Sequence, residues 1–391
     1  MNGFSYWCST KVLFGEGTAS RVGSEVKAFG GKNVLVLYGQ GSVIKSGLLD
    51  TVMQSLNAEG IRYECVGGIQ PNPLSEFAQQ VVDDFKDLNI DFVLAVGGGS
   101  VIDTAKTVAL GLKTPDTPLW DIMCGKVVAK DTLPVGSILT IAAAGSETSN
   151  ATVLTNKGLG HKRVIRSEVI QPVLAIMDPE LTYGLPSYQI ACGATDILMH
   201  TLDRYFAPDA DNAVTDELSE ALMRMIVKYG RESMENPNDY KARSELMWAG
   251  SLSHNGLTGL GQTLEFSVHQ LALPMSAKYD TAHGASLAAI WPAWARYVCS
   301  INVPRFARYA REVWGVTERD DEAAAKSGIA ETEAFFRSIG MPVTMTEAEG
   351  ESVKNDIDAL AELCSFNRSR TIGAIKVLDF EEMKSVYSSA L

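Results

Sequence analysis

Asp196 and His200 stand four residues apart in the stretch ACGATDILMH, Ala191 to His200. On a helix that spacing puts a carboxylate and an imidazole on one face. His269, in EFSVHQ, and His283, in TAHGAS, follow downstream, so three of the chain's five histidines could meet one aspartate. An aspartate with three neutral imidazoles is an N/O donor set suited to Fe(II) or Zn(II), with a position or two left for a substrate oxygen. That is the make-up of a catalytic metal site. Taken alone, the Asp196/His200 pair is common by chance, as a helix-surface hydrogen bond or a satisfied core histidine.

A second chemical signal is glycine-rich. GGGSVID, Gly97 to Asp103, follows a predicted strand and opens a predicted helix. Backbone amides at a helix N-terminus, approached closely through glycines, suit a pyrophosphate, and Ser100 can add a hydroxyl donor. The spacing is not GxGxxG, and a glycine turn that merely reverses the chain is the competing explanation. An earlier strand ends in Gly39, Gln40, Gly41 and Ser42, with Lys45 beyond. Wound nucleotide-binding sheets often carry an acid there, which takes the adenosine ribose hydroxyls and disfavours a 2′-phosphate. Its absence favours NADP(H) over NAD(H), although NAD(H) stays open.

These residues need elements to position them. From Lys32 short β-rich runs alternate with amphipathic segments, the pattern of a wound, mostly parallel sheet. NVLVLYG, IRYECVGG and DFVLAVGGGS read as strands; the helix in NPLSEFAQQVVDDFKDLN is expected to take Asn72 as N-cap and Pro73 as its first residue. Between about Pro118 and Leu185 strand signals are punctuated by Gly and Pro. From Pro186 nearly everything is helical by its three-to-four spacing of apolar residues. The expected organisation is an α/β domain over 1–185 and an all-α domain over 186–391. A ligand touching both would lie in the cleft between them.

Composition sets outer limits. Among 391 residues, 46% are hydrophobic and 21% charged, as in an ordinary globular protein. A net charge of −13 with no basic run argues against nucleic acid and acidic membrane surfaces. No apolar run reaches the length of about 18 residues that a membrane helix requires. MNGFSYWCST lacks the features of a signal peptide, so the expected location is the cytoplasm. Six scattered cysteines without a CxxC suit reduced, packed thiols.

Taken together, the segments resemble the iron-containing alcohol dehydrogenases, and among them the NADPH-dependent butanol dehydrogenase and aldehyde reductase branch. The resemblance rests on FGEG at Phe14 to Gly17, PNP at Pro71 to Pro73 and GGGSxxDxAK at Gly97 to Lys106. It continues with GSE at Gly145 to Glu147, DP at Asp178 and Pro179, then Asp196, His200, His269 and His283. It implies a Rossmann-like nucleotide domain followed by an all-helical metal-binding domain, a dehydroquinate synthase-like fold. It implies Asp196, His200, His269 and His283 as metal ligands. Dinucleotide contacts carry over to Gly39, Ser42, Asn72, Gly98, Gly99, Ser100, Asp103, Thr140, Ser149 and Lys162, with Leu181 packing on the cofactor. Two positions depart from the family pattern. Leu273 replaces a histidine often assigned to proton transfer, leaving water or a ribose hydroxyl for that task. Ala142, Ala143 and Ala144 before Gly145 remove a hydroxyl, leaving Thr140 and Ser149.

The implied reaction is hydride transfer between a nicotinamide and a small alcohol or aldehyde, with the metal acting on the substrate oxygen. His254 is a weaker pocket candidate, with a packed or surface histidine as its alternative. Asp203 and Asp209 are expected on the helix surface, and Trp248, Phe266 and Trp291 in the core. A homodimer is the expected assembly. Other readings stay open: an NAD(H)-dependent dehydrogenase of a functionalised alcohol such as a diol, hydroxy acid or sulfonated aldehyde, and a non-catalytic nucleotide-binding module. A phosphorylated substrate is disfavoured, because little basic density surrounds Asp196 to His283 beyond Arg204 and Lys278.

Overall fold

A computed structural model describes every residue except Ala210. The chain divides into two compact units: Trp7–Gly184, and Leu185–Leu391 together with Met1–Tyr6. The first six residues therefore leave the 1–185 block that the sequence pattern suggests. The reason is polar: the Met1 ammonium pairs with Asp211 at 2.8 Å, the Asn2 side-chain amide donates to Asp209, and Asn2 N–H donates to the Gly261 carbonyl.

The Trp7–Gly184 unit is built on strands β1 (Lys11–Phe14), β2 (Asn33–Gly39), β3 (Arg62–Ile69), β4 (Phe92–Gly97), β5 (Val135–Leu139), β6 (Ala151–Asn156), β7 (His161–Arg166) and β8 (Leu174–Met177). Six form one sheet in the order β1-β8-β5-β4-β2-β3, every pairing parallel. β6 and β7 make a separate antiparallel pair. Helices cover both faces of a parallel sheet, so interior strands are apolar throughout rather than alternating. β4, β5 and β8 are buried along their whole lengths accordingly.

One helix starts later than expected. It runs Ser75–Phe85 with Leu74 as its N-cap, and Asn72 sits before it with φ 53°. The Pro73 carbonyl accepts from Thr155 N–H, and Leu74 bridges to Thr155. The pairing with β6 holds these residues extended, and the helix cannot begin until it ends. Asn72 is thereby released from capping.

The other unit is helical. Its central element, Ser187–Tyr205, buries nearly every residue from Ile190 onward, as a helix packed on all sides must. Around its C-terminal end Phe206 stacks on Phe306, with ring centres 4.2 Å apart, beside the fully buried Trp291 and Trp294. Trp248, expected in the core, is 42% exposed because it lies on the outer face of Tyr240–His254. Among the described residues no helix is long and apolar enough to cross a membrane.

Candidate metal centre and nucleotide cradle

Three helices contribute to one cluster. Ser187–Tyr205 carries Asp196 and His200, Ser267–Tyr279 carries His269 in its first turn, and His283–Val298 begins with His283 itself. Asp196 Oδ1 lies 3.3 Å from His200 Nδ1, 3.8 Å from His269 Nε2 and 3.9 Å from His283 Nε2. The ligating atoms of Asp196, His200 and His269 fall within 4.8 Å of one another, all three residues being buried. His283 is the outermost, with its side chain 26% exposed.

The donor atoms are notable for what they lack. Asp196 Oδ1, His200 Nδ1 and His269 Nε2 are buried and have no hydrogen-bond partner among the described residues. Burying such atoms unanswered costs about 1–3 kcal/mol each, and here they converge on a common point. A divalent ion would satisfy all of them, so the residues present fit the metal that their chemistry suggests. Burial, reinforced by His254, His269 and Arg204, drives the His200 pKa well below 6.5 and keeps the ring neutral, as a ligand must be. Burial also pulls His269 down, but the Asp203 and Asp196 carboxylates outweigh it and its pKa is raised.

Two neighbours complete the cluster. His254 ends its helix with its ring edge-on to His200, centres 4.0 Å apart, so the structure brings a fourth of the five histidines to the site. Asp203 corrects an expectation: it is not on the helix surface but fully buried. Its Oδ2 accepts from His269 Nδ1–H at 2.6 Å and from His269 backbone N–H at 3.2 Å. The signal was present in the spacing, since positions 196, 200 and 203 share one helical face.

The nucleotide candidates all lie in the sheet unit. Gly98 is the N-cap of helix Gly99–Lys113, directly after β4. None of Gly97, Gly98 and Gly99 has a positive φ. What demands glycine is space: a Cβ on Gly98 would come 2.3 Å from Ile141 Cγ2, and one on Gly97 2.5 Å from Val101 Cγ2. Gly39 ends β2, and the exposed Ser42 starts a short helix through Lys45. Asn72 and Lys162 are brought together, with Lys162 Nζ donating to Asn72 Oδ1 at 2.7 Å. Thr140 follows β5, its N–H bonded to the Gly97 carbonyl, which ties it to the glycine turn. Leu181 packs against the core of the sheet.

Two candidates are engaged internally. Asp103 accepts from Ser146 Oγ–H at 2.6 Å and Val153 N–H at 3.1 Å, which gives its carboxylate a structural duty. Ser149 is buried, and its hydroxyl accepts from Ala151 N–H. Sequence reasoning missed Lys106, whose ammonium is wholly buried against Ser146 Oγ, Ser149 O and Ala151 O at 2.7–2.9 Å. Its place in the GGGSxxDxAK motif was the available clue.

The match to known proteins follows both halves of this description. Residues 9–179 match the family model for iron-containing alcohol dehydrogenase, and residues 190–391 match that for the C-terminal part of the Fe-containing alcohol dehydrogenase family. The chain belongs to the iron-containing alcohol dehydrogenase family. It is 33% identical to NADH-dependent butanol dehydrogenase A of Clostridium acetobutylicum across all of both chains. It is 32% identical to the NADPH-dependent aldehyde reductase YqhD of Escherichia coli, over 93% of this chain and 94% of that one. The crystal structure of NADH-dependent butanol dehydrogenase A from Thermotoga maritima is 33% identical and superposes with a TM-score of 0.96, covering 100% of this chain and 99% of that one.

This iron-type alcohol dehydrogenase or aldehyde reductase is thus an oxidoreductase, and its family implies a metal and a nicotinamide cofactor. Within it, Leu273 is buried one turn beyond His269 and offers no protons. Gly284, next to His283, has a clear reason to be glycine. A Cβ there would lie 2.2 Å from the carbonyl oxygen of Cys192, one turn before Asp196 on the central helix. The contact lets His283 reach the carboxylate.

Proposed function

We propose that the protein transfers a hydride reversibly between NADP(H) and a primary alcohol/aldehyde pair whose oxygen is held at the Asp196 cluster. The observation that carries this reading is the convergence of three buried donor atoms without partners. Fe(II) or Zn(II), held by Asp196, His200, His269 and His283, would supply Lewis acidity to the substrate oxygen. The chain's own contribution is charge and exclusion. One carboxylate among neutral imidazoles leaves the loaded site net positive, which favours alkoxide character in the transition state. Burial of Asp196, His200 and His269 keeps water from competing for that charge. Leu273 removes a side-chain proton carrier, so the proton passes through water or a cofactor ribose hydroxyl.

The preference for NADP(H) is supported at the end of β2. Gly39 presents no acid, Ser42 offers an exposed hydroxyl, and Lys45 adds a positive charge two residues beyond Val43. Because relatives of similar identity are named both NADH- and NADPH-dependent, NAD(H) is the specific second reading.

The test is aldehyde-dependent oxidation of NADPH and NADH, side by side, on protein stripped of metal and reloaded anaerobically with Fe(II) or Zn(II). Activity that requires metal and favours NADPH is expected. Metal-dependent activity with NADH alone would replace the cofactor assignment, and no activity with any metal would overturn the proposal for simple aldehydes.

A further inference from the structure

Asp203 lies seven residues after Asp196 and three after His200, on the same face of the Ser187–Tyr205 helix. One helix therefore presents two of the metal-site residues and a second carboxylate beyond them. The Asp203 carboxylate is 0% exposed, so its charge must be answered by the protein. Both of its closest donors belong to His269: the ring Nδ1 at 2.6 Å and the backbone N–H at 3.2 Å. The entry to the His269 helix is built around this grip. Glu265 N–H donates to the Asp203 carbonyl at 3.1 Å, and Phe266 turns the chain through the left-handed region at φ 53°. Arg204, the next residue, lies over the Phe266 ring at 4.8 Å and donates to the His200 carbonyl at 2.7 Å.

We propose that Asp203 is a positioning residue that fixes the His269 ring with Nδ1–H on Asp203 and Nε2 turned toward Asp196, and thereby sets how tightly the ion is held. The inference rests on the metal-site reading. A carboxylate accepting from Nδ1–H selects the tautomer whose lone pair is on Nε2, and it makes that nitrogen a better donor. It also removes the ring's freedom to rotate, which a ligand held by its backbone alone would retain.

The experiment is competition against a coloured chelator for Zn(II) and Co(II), using the full-length wild type, Asp203→Asn and Ser267→Ala. Asp203→Asn is expected to bind about 10- to 100-fold more weakly. It should also shift the visible absorption bands of bound Co(II). Ser267→Ala, which breaks a hydrogen bond to Glu265 in the same turn without touching His269, should bind as wild type does. Wild-type affinity and an unchanged Co(II) spectrum in Asp203→Asn would overturn the inference and leave Asp203 a docking contact between helices. A wild type that binds neither ion would instead overturn the metal-site reading itself.

The zinc-loaded wild type gives a check that needs no variant to fold. Long-range ¹H–¹⁵N spectra should show the His269 proton on Nδ1 and the metal on Nε2. Coordination through Nδ1 would overturn the inference.

Discussion

Around Lys106 and around Asp196 the chain buries ionisable side chains, but it completes their hydrogen bonding in only one place. Lys106 Nζ donates to three acceptors, and Asp103 receives a hydroxyl and a backbone amide. That network closes on itself and joins helix Gly99–Lys113 to β6 and the Gly145–Ser149 segment. Around Asp196 an aspartate oxygen and two imidazole nitrogens face one another without a hydrogen bond to complete them. Buried polar groups that are satisfied specify a fold, whereas unsatisfied donor atoms that converge on one point, as these three do, fit a bound ion.

The contrast can be broken by mutation, and the largest effect belongs to the open cluster. Asp196→Ala or His269→Ala should weaken metal binding by more than about 100-fold, beyond what loss of an outer partner does, as read by chelator competition. Asp196→Ala should leave the melting temperature of the metal-free protein unchanged or higher, because it removes an oxygen that gains nothing from the fold, whereas His269→Ala also strands the buried Asp203 carboxylate and should lower it. Lys106→Met should do the reverse. It strands the Ser149 and Ala151 carbonyls and the Asp103 charge, and should cost about 3 kcal/mol in urea unfolding with metal affinity intact.

The pH dependence sharpens that comparison. Burial lowers the Lys106 pKa to about 8 from the 10.5 of a free lysine, against the pull of Asp103 and Glu147. Between those values the unfolded chain binds more protons, so this group's contribution to stability rises with pH from about 8 to 10.5. The stability gap between wild type and Lys106→Met should widen over that window.

Gly284→Ala comes next. The added carbon meets the Cys192 carbonyl, and the His283 helix must shift. A loss of about 1–3 kcal/mol in stability is expected, with weaker metal binding in the same chelator assay. The smallest effect should come from Gly39→Asp. A Cβ at Gly39 would find only ordinary contacts, 3.7 Å from Ile69 O and 3.9 Å from Val101 Cγ2, so the fold should tolerate it. The ratio of NADPH to NADH efficiency should fall by about 10-fold, since the new carboxylate repels a 2′-phosphate.

The sequence made the sheet legible because interior parallel strands are continuous apolar runs, and the helical half legible through its periodicity. Asp196 and His200 stood out because both lie on one helix. His269 and His283 could be joined to them only as a set, and the resemblance to the iron-containing family supplied that set. What stayed hidden depended on partners far along the chain. Asn72 reads as a helix cap until β6 is seen to hold Pro73 and Leu74. Asp203 reads as a surface acid until its His269 partner, 66 residues away, is in place. Met1 and Asn2 join the helical unit through Asp209, Asp211 and Gly261, contacts that no local pattern encodes.

The most direct test of the central claim is titration of metal-stripped wild type and His269→Ala with Zn(II) by calorimetry. The wild type should take up a single tightly held ion per chain, and the variant should lose it. Equal binding by both proteins, or none by the wild type, would contradict the claim that these buried, unpartnered atoms form a metal site.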